Sequence, residues 1–233
     1  MPVSIAACRP KSMPHPAVVG GMSTWTPTAN PAWQGNGSNS GNTTLTFTGL
    51  NLGSPSASDV IVIGVVTVAV GSITSVTVNG SAATQQVATA LAFSRQLAIY
   101  SITGLTAATG NVAVSTAANL LGDAVVFVGK LTGVNATPGT ADHKDMQSVT
   151  GPSTLSVTAI VPTNGFGIYL GMDIATETFT ISNATVDYSA TNGSANGGVA
   201  KFGNNSTAGS QTVSSQGTGG GYVLGAALVP WGP

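Results

Sequence analysis

Short runs of alternating apolar and polar residues, separated by Gly, Asn and Pro, follow one another from residue 43 to the end of the chain. In residues 166–174, for example, every even-numbered position is a large apolar residue (Phe, Ile, Leu, Met, Ile). A period of two is typical of strands that bury one face, and turn signals every 8–12 residues or so are typical of sandwiches and barrels. The pattern therefore predicts an all-β fold, an antiparallel β-sandwich without a convincing helix.

Three runs, 60–70, 124–131 and 222–229, are apolar at nearly every position and so lack a polar face. A strand of an antiparallel sheet normally leaves one face to water. These three strands therefore require cover on both faces. The sequence leaves two kinds of cover open: a long loop of the same chain, or a neighbouring subunit or the N-terminal segment.

Residues 1–42 differ in composition from the rest of the chain. Six prolines interrupt this segment, which also contains the flexible tract GNGSNSG at 35–41. Proline removes a backbone donor and so breaks regular elements. The sequence therefore predicts an extended N-terminal arm over residues 1–42, followed by a single β-sandwich domain of the jelly-roll type over residues 43–233.

The chain carries little charge, because only 6% of its residues are Asp, Glu, Lys or Arg, against about 25% in an ordinary soluble domain. With a formal net charge of −1, it has no long-range field to attract nucleic acid or an anionic membrane. No apolar run reaches the length of about 18 residues that a transmembrane helix needs. The single cysteine, Cys8, excludes an internal disulfide. The N-terminus lacks the pattern of a signal peptide, so we expect synthesis in the cytoplasm.

Groups suited to catalysis or metal binding are few. Asp173 and Glu177 form a candidate glycosidase pair, but they lie four positions apart at the end of a predicted strand, so we assign them no catalytic role. The cluster DHKD at 142–145 contains carboxylate and imidazole ligands. It is short, however, and we expect it to be a solvated tip of the loop 133–148. The sequence predicts no catalytic residue, no metal site and no cofactor.

The three tryptophans all lie outside the predicted strands. Trp25 and Trp33 belong to the arm, and Trp231 is among the last three residues. Tryptophan is enriched at the energetic centres of protein interfaces, so all three are candidate partner-contact residues. The alternative that remains open is that the two chain termini meet at one end of the sandwich and form a small internal cluster.

Several segments, taken in their order along the chain, carry a resemblance to a known family. They are SITSVTVNGSAAT (72–84), LAIYSITGLTAATGNVAVS (97–115), AVVFVGKLTGV (124–134), TLSVTAIVPTNGFGIYLGMDI (154–174), GSQTVSS (209–215) and GGGYVLGAALVP (219–230). Over about residues 60–230 the chain resembles the jelly-roll, lectin-like β-sandwich proteins of tailed-phage virions. The resemblance implies a jelly-roll fold and a virion setting. It transfers no active-site residue.

The resemblance and the low charge together lead us to expect a non-enzymatic virion structural protein. The leading hypothesis is a capsid decoration (cement) protein that binds and stabilises the head shell. Its expected partners are the major capsid protein and further copies of this chain, in a homo-oligomer for which a trimer is the expected order. The alternative is a tail or fibre component that acts as a carbohydrate-binding or receptor-binding module.

Overall fold

The computed structural model describes residues 23–29, 34–35, 43–69, 71–118, 120–149, 153–173, 179–192, 198–217 and 222–233. Every named secondary-structure element in these parts of the chain is a β-strand. Every pair of neighbouring strands named in the sheets is antiparallel. The prediction of an all-β, antiparallel, sandwich-like fold is therefore confirmed. Within these parts no helix is long and apolar enough to cross a membrane.

The described residues form eighteen strands. They are β1 (Thr24–Ala29), β2 (Gln34–Gly35), β3 (Thr44–Asn51), β4 (Val60–Ala69), β5 (Ile73–Val78), β6 (Ser81–Ala82), β7 (Thr84–Ala88), β8 (Arg95–Ile102), β9 (Thr109–Thr116), β10 (Leu120–Thr132), β11 (Asp142–Val149), β12 (Ser153–Val161), β13 (Phe166–Asp173), β14 (Phe179–Ser182), β15 (Thr185–Asn192), β16 (Gly198–Asn205), β17 (Gly209–Gly217) and β18 (Tyr222–Trp231).

These strands form four sheets. Sheet A has the order β1-β10-β4-β8-β7, with β2 also paired to β10, and sheet B has the order β3-β9-β5-β6. Sheet C has the order β11-β18-β13-β16-β15, and sheet D has the order β12-β17-β14. Sheets A and B thus come from the first half of the chain, and sheets C and D from the second.

The four sheets are stacked in the order B, A, C, D. Strand β4 shows how sheet A serves two cores: Ile61 and Ile63 belong to the core shared with sheet B, whereas Val60 and Val62 belong to the core shared with sheet C. Strand β13 in the middle of sheet C is likewise buried on both faces. Its Leu170 packs towards sheet A, and its Tyr169 belongs to a third core with sheet D.

This stacking explains the strands that lack a polar face. All of β4 is buried, and so are residues 124–129 of β10 and residues 225–231 of β18. Their cover consists mainly of two further sheets of the same chain, so the expectation of a long loop or a neighbouring subunit is wrong, whereas the N-terminal segment does contribute Trp25, which lies over Gly129 of β10. A sheet placed between two other sheets has no wet face, and its strands therefore lose the polar alternation.

The two halves of the chain repeat the same strand order. The equivalent strands are β1 and β11, β3 and β12, β4 and β13, β5 and β14, β7 and β15, β8 and β16, β9 and β17, and β10 and β18. In each half the first of these strands lies beside the last in the inner sheet. Each half is thus an eight-stranded unit of two sheets. The two halves meet through sheets A and C, whose facing apolar surfaces form the core between them.

The N-terminal segment contributes a strand to sheet A. Residues 24–29, which include Pro27, form β1 and pair with residues 128–132 of β10. The prediction that prolines keep all of residues 1–42 free of regular structure is therefore wrong for this stretch. Strand β1 lies at the edge of its sheet. Proline is tolerated there because one side of an edge strand has no neighbouring strand that requires a backbone N–H donor.

Two buried tyrosines make the fold sensitive to alkaline pH. Burial raises the pKa of Tyr100 to about 12, and burial also raises the pKa of Tyr169 far above its usual range, although a hydrogen bond with Ser215 opposes the shift. An unfolded tyrosine titrates near pH 10, so the folded chain holds these protons longer. The resulting stability is complete below about pH 10 and is lost as the pH rises through the folded-state pKa values.

We therefore expect the free energy of unfolding, measured by urea denaturation, to fall from pH 10 towards pH 12. The Tyr100→Phe variant should show a shallower fall, because it removes one of the titrating groups. Identical profiles for the variant and the natural chain would contradict the assignment to Tyr100.

Candidate functional site

The tryptophans are the first candidates that the structure can place. Trp231 is fully buried in the core between sheets A and C, so it has no exposed surface to offer a partner. Trp25 is half-buried against the same core, where its ring meets that of Phe202 edge to face at 5.6 Å. Trp33 lies outside the described residues. Trp25 and Trp231 therefore both pack within the chain.

The acidic candidates are held by backbone groups. The DHKD cluster belongs to the edge strand β11, so the prediction of a loop tip there is wrong. Asp142 accepts a hydrogen bond from the amide of Thr158 at 2.7 Å, and Asp145 accepts one from Ala90 at 2.8 Å. Charged residues on an edge strand oppose pairing with other chains, which accounts for their position.

No group of three metal-ligating residues occurs among the residues that the structure describes. His143 lies 3.6 Å from Asp145, and both side chains are exposed. Asp173 is fully buried in β13, and Glu177 lies outside the described residues. Of the considered glycosidase pair, the described residues therefore contain Asp173 alone.

A hydrogen-bonded cluster that the sequence reasoning missed surrounds Asp187. The pairing of β15 with β16 is irregular between Val186 and Tyr188, which leaves Asp187 as the extra residue of a β-bulge. Its carboxylate accepts one hydrogen bond from Trp25 Nε1 at 2.8 Å and one from Asn204 Nδ2 at 3.0 Å. Bulges commonly re-aim a side chain in this way. The cluster links β1 of the first half to β15 and β16 of the second.

The backbone approach at this bulge requires glycine on the neighbouring strand. A side chain on Gly203 would place its Cβ 2.0 Å from the carbonyl oxygen of Thr185. Such a contact is closer than any non-bonded pair tolerates, so the strands could not keep this spacing with another residue there. Gly203 thus maintains the position of the bulge.

A polar cavity of about 280 Å³ lies beside the bulge. It opens among the β14–β15 turn, the end of β16 and the start of β17. Its lining consists of amide and hydroxyl side chains with one alanine: Asn183, Ala184, Thr185, Asn204, Asn205, Ser206, Thr207 and Gln211. We call it the second cavity, because it belongs to the second half of the chain.

The first half contains an equivalent bulge. The pairing of β7 with β8 is irregular between Gln85 and Val87, which makes Gln86 the counterpart of Asp187. Gln86 Nε2 donates a hydrogen bond to Ser101 Oγ at 2.8 Å. Ser101 pairs with the first residue of β7, as Asn204 pairs with the first residue of β15. Both halves therefore join the bulge residue to the same position of the next strand.

A cavity of about 270 Å³, here called the first cavity, lies beside this bulge too. Its lining residues are Thr84, Gln86, Ser101, Ile102, Thr103, Ala136, Thr137 and Pro138. The last three belong to the connection between the two halves. The matching signals in the sequence are Thr84 with Gln86 and Thr185 with Asp187, which become visible only once the repeat is known.

The outward faces of sheets B and D are regular surfaces of exposed, mostly polar residues. Their exposed positions carry Thr, Ser, Asn, Gln and Ala with the exposed Ile160, and none of them is charged. Neighbouring hydroxyls meet across strands at 2.8–2.9 Å, as in the pairs Thr158–Thr212 and Thr44–Ser115. Because B and D are the outer layers, these faces lie on opposite sides of the stack.

Among the features that the described part of the chain offers to a ligand or partner are the Asp187 cluster, the two related cavities and the two neutral outer faces. No family model, curated protein or solved structure matches this chain.

Proposed function

We propose that this protein is a non-enzymatic structural component of a tailed-phage virion, and specifically a decoration (cement) protein that binds the head shell. In this proposal each half of the chain is a jelly roll. The strand order supports this, because the first strand of each half pairs with the last, as it does in eight-stranded jelly rolls.

The observation that carries the proposal is the pair of uncharged, hydroxyl-rich faces on opposite sides of the stack. A protein with two such faces can lie between two neighbours of a lattice and contact both. Contacts through such faces bury area without ion pairs, so they resist screening by salt. Repeated over many copies, the buried area would stabilise a shell against internal pressure.

The proposed homo-oligomer, with a trimer as its expected order, rests on these outer faces. The apolar strands no longer supply an argument for it, because other sheets of the chain cover them. We expect sedimentation of the purified protein to show an oligomer that survives the change from low to high salt. An oligomer that dissociates in high salt would contradict association through neutral faces.

The test of the decoration role is the location of the protein in purified particles. Quantitative mass spectrometry should find it in many copies, and cryo-electron microscopy should find it as a regular array on the head. Its absence from particles purified to constant composition would overturn the virion proposal.

The second candidate function is a tail or fibre component that binds a carbohydrate receptor. The two polar cavities favour it, because each is a concave site lined by hydrogen-bonding groups. A few copies at the tail, with none on the head, would support this candidate over the decoration role. Neither candidate requires catalysis, and we propose that the protein is not an enzyme.

A further inference from the structure

We propose that the first and second cavities are a pair of repeat-related binding sites for neutral saccharides. The inference deepens the second candidate function and rests on it. It names the ligand class, and it predicts two sites in one chain.

The chemistry of the lining selects a neutral ligand. None of the residues that line the two cavities carries a formal charge. The carboxylate of Asp187, at the bulge beside the second cavity, already accepts hydrogen bonds from Trp25 and Asn204. An anion or a cation would therefore lose hydration without gaining an opposite charge. Hydroxyl and amide groups both donate and accept, which matches the hydroxyl groups of a sugar.

The size of the cavities fits a small ligand. Small-molecule pockets usually enclose about 300–1,000 Å³, and the two cavities, at about 270 and 280 Å³, lie just below that range. Each therefore has room for about one sugar ring. Each site also has apolar side chains, Ile102 and Pro138 in the first cavity and Ala184 in the second. These side chains can contact the face of a sugar ring that carries its C–H groups.

A more apolar cavity lies next to the second cavity. This neighbouring cavity of about 420 Å³ shares Ser206 with it and is lined by Phe166, Asn164 and Thr163. The ring of Phe166 is only partly buried, so it can stack against a further sugar unit. The second site is thus the one suited to a longer chain.

The recurrence of the site in both halves is an independent argument. A bulge, a hydrogen bond between the bulge residue and the next strand, and a cavity of nearly the same volume occur in both halves, although Gln86 donates this bond and Asp187 accepts it. The bonding residues nevertheless differ, Gln86 with Ser101 in one half and Asp187 with Asn204 in the other. The bulge and the hydrogen bond that joins it to the next strand are therefore present in both halves, although the residues that form the bond differ.

The test is a titration of the isotopically labelled full chain, followed by the backbone amide resonances. The probes are methyl α-D-mannopyranoside, methyl β-D-galactopyranoside and methyl N-acetyl-β-D-glucosaminide, with methyl β-D-glucuronide as the charged counterpart. We expect at least one neutral glycoside to give saturable shifts at residues of both cavities. We expect the glucuronide to bind more weakly than the neutral glycoside of best affinity.

Variants assign the shifts to the sites. Thr84→Val with Thr103→Val should remove those at the first cavity and leave those at the second. Thr185→Val with Thr207→Val should do the reverse. These four threonines are exposed, and valine keeps their shape and strand preference.

The control is Thr46→Val with Thr77→Val on the outer face of sheet B, which should leave all shifts unchanged. The proposal is overturned by the absence of saturable shifts, by shifts that both cavity variants retain, by binding at one cavity only, or by preference for the glucuronide. The titration uses the isolated chain, so its result is independent of where particles carry the protein, and the binding inference and the tail candidate can fail separately.

Discussion

The Phe202→Ala variant is expected to lose about 3–5 kcal/mol of unfolding free energy, the usual result of emptying a fully buried aromatic position. Phe202 is fully buried between sheets A and C. Its ring stacks on that of Phe127 at 5.6 Å with an interplanar angle of 12°. A Cβ on Gly64 would lie 2.9 Å from its ring carbons, so the opposite backbone is fitted closely to this side chain.

The measurement is urea denaturation of the natural chain and of the variant, followed by circular dichroism. The matched control is Phe93→Ala, because Phe93 is 53% exposed and its loss should change the unfolding free energy by no more than about 0.5 kcal/mol. Equal effects of the two substitutions would show that the two halves do not share a core through Phe202.

Removal of residues 1–42 is expected to have an effect at least as large. The deletion takes away β1, which pairs with β10, and with it the ring of Trp25 that packs on Phe202. It also leaves Asp187 without the donor Trp25 Nε1. Loss of a fully buried aromatic residue lowers the unfolding free energy by about 3–5 kcal/mol; the half-buried Trp25 contributes part of such an amount, and loss of the strand pairing adds to it.

The control for this deletion is the removal of residues 1–21 only, which keeps β1 and should retain most of the stability. Trp25→Phe separates the contributions, because it keeps a ring at the A–C interface and removes the hydrogen bond to Asp187. If the chain without residues 1–42 had the same unfolding midpoint as the chain without residues 1–21, β1 would be dispensable.

The sequence by itself determined the type of element and most strand positions. Alternation in residues 166–174 and the turn signal Asn79-Gly80 are local properties, and the structure places β13 and a turn with positive φ at both Asn79 and Gly80 there. Local patterns suffice here because side-chain direction in a strand and the φ preference of a turn depend only on adjacent residues. The strand β11 was missed, because its charges at 142–145 resemble those of a loop.

Only the tertiary structure decided what covers the apolar strands and where the candidate sites lie. An apolar run such as 60–70 shows that both faces of β4 are buried, but it contains no information about which sheets bury them. That depends on pairings between distant residues, such as Trp25 with Leu131, and on the repeat of strand order in two halves. The bulges at Gln86 and Asp187 are also products of pairing, because an extra residue exists only relative to a partner strand. The sites therefore became visible only when the strands of the whole chain were assembled.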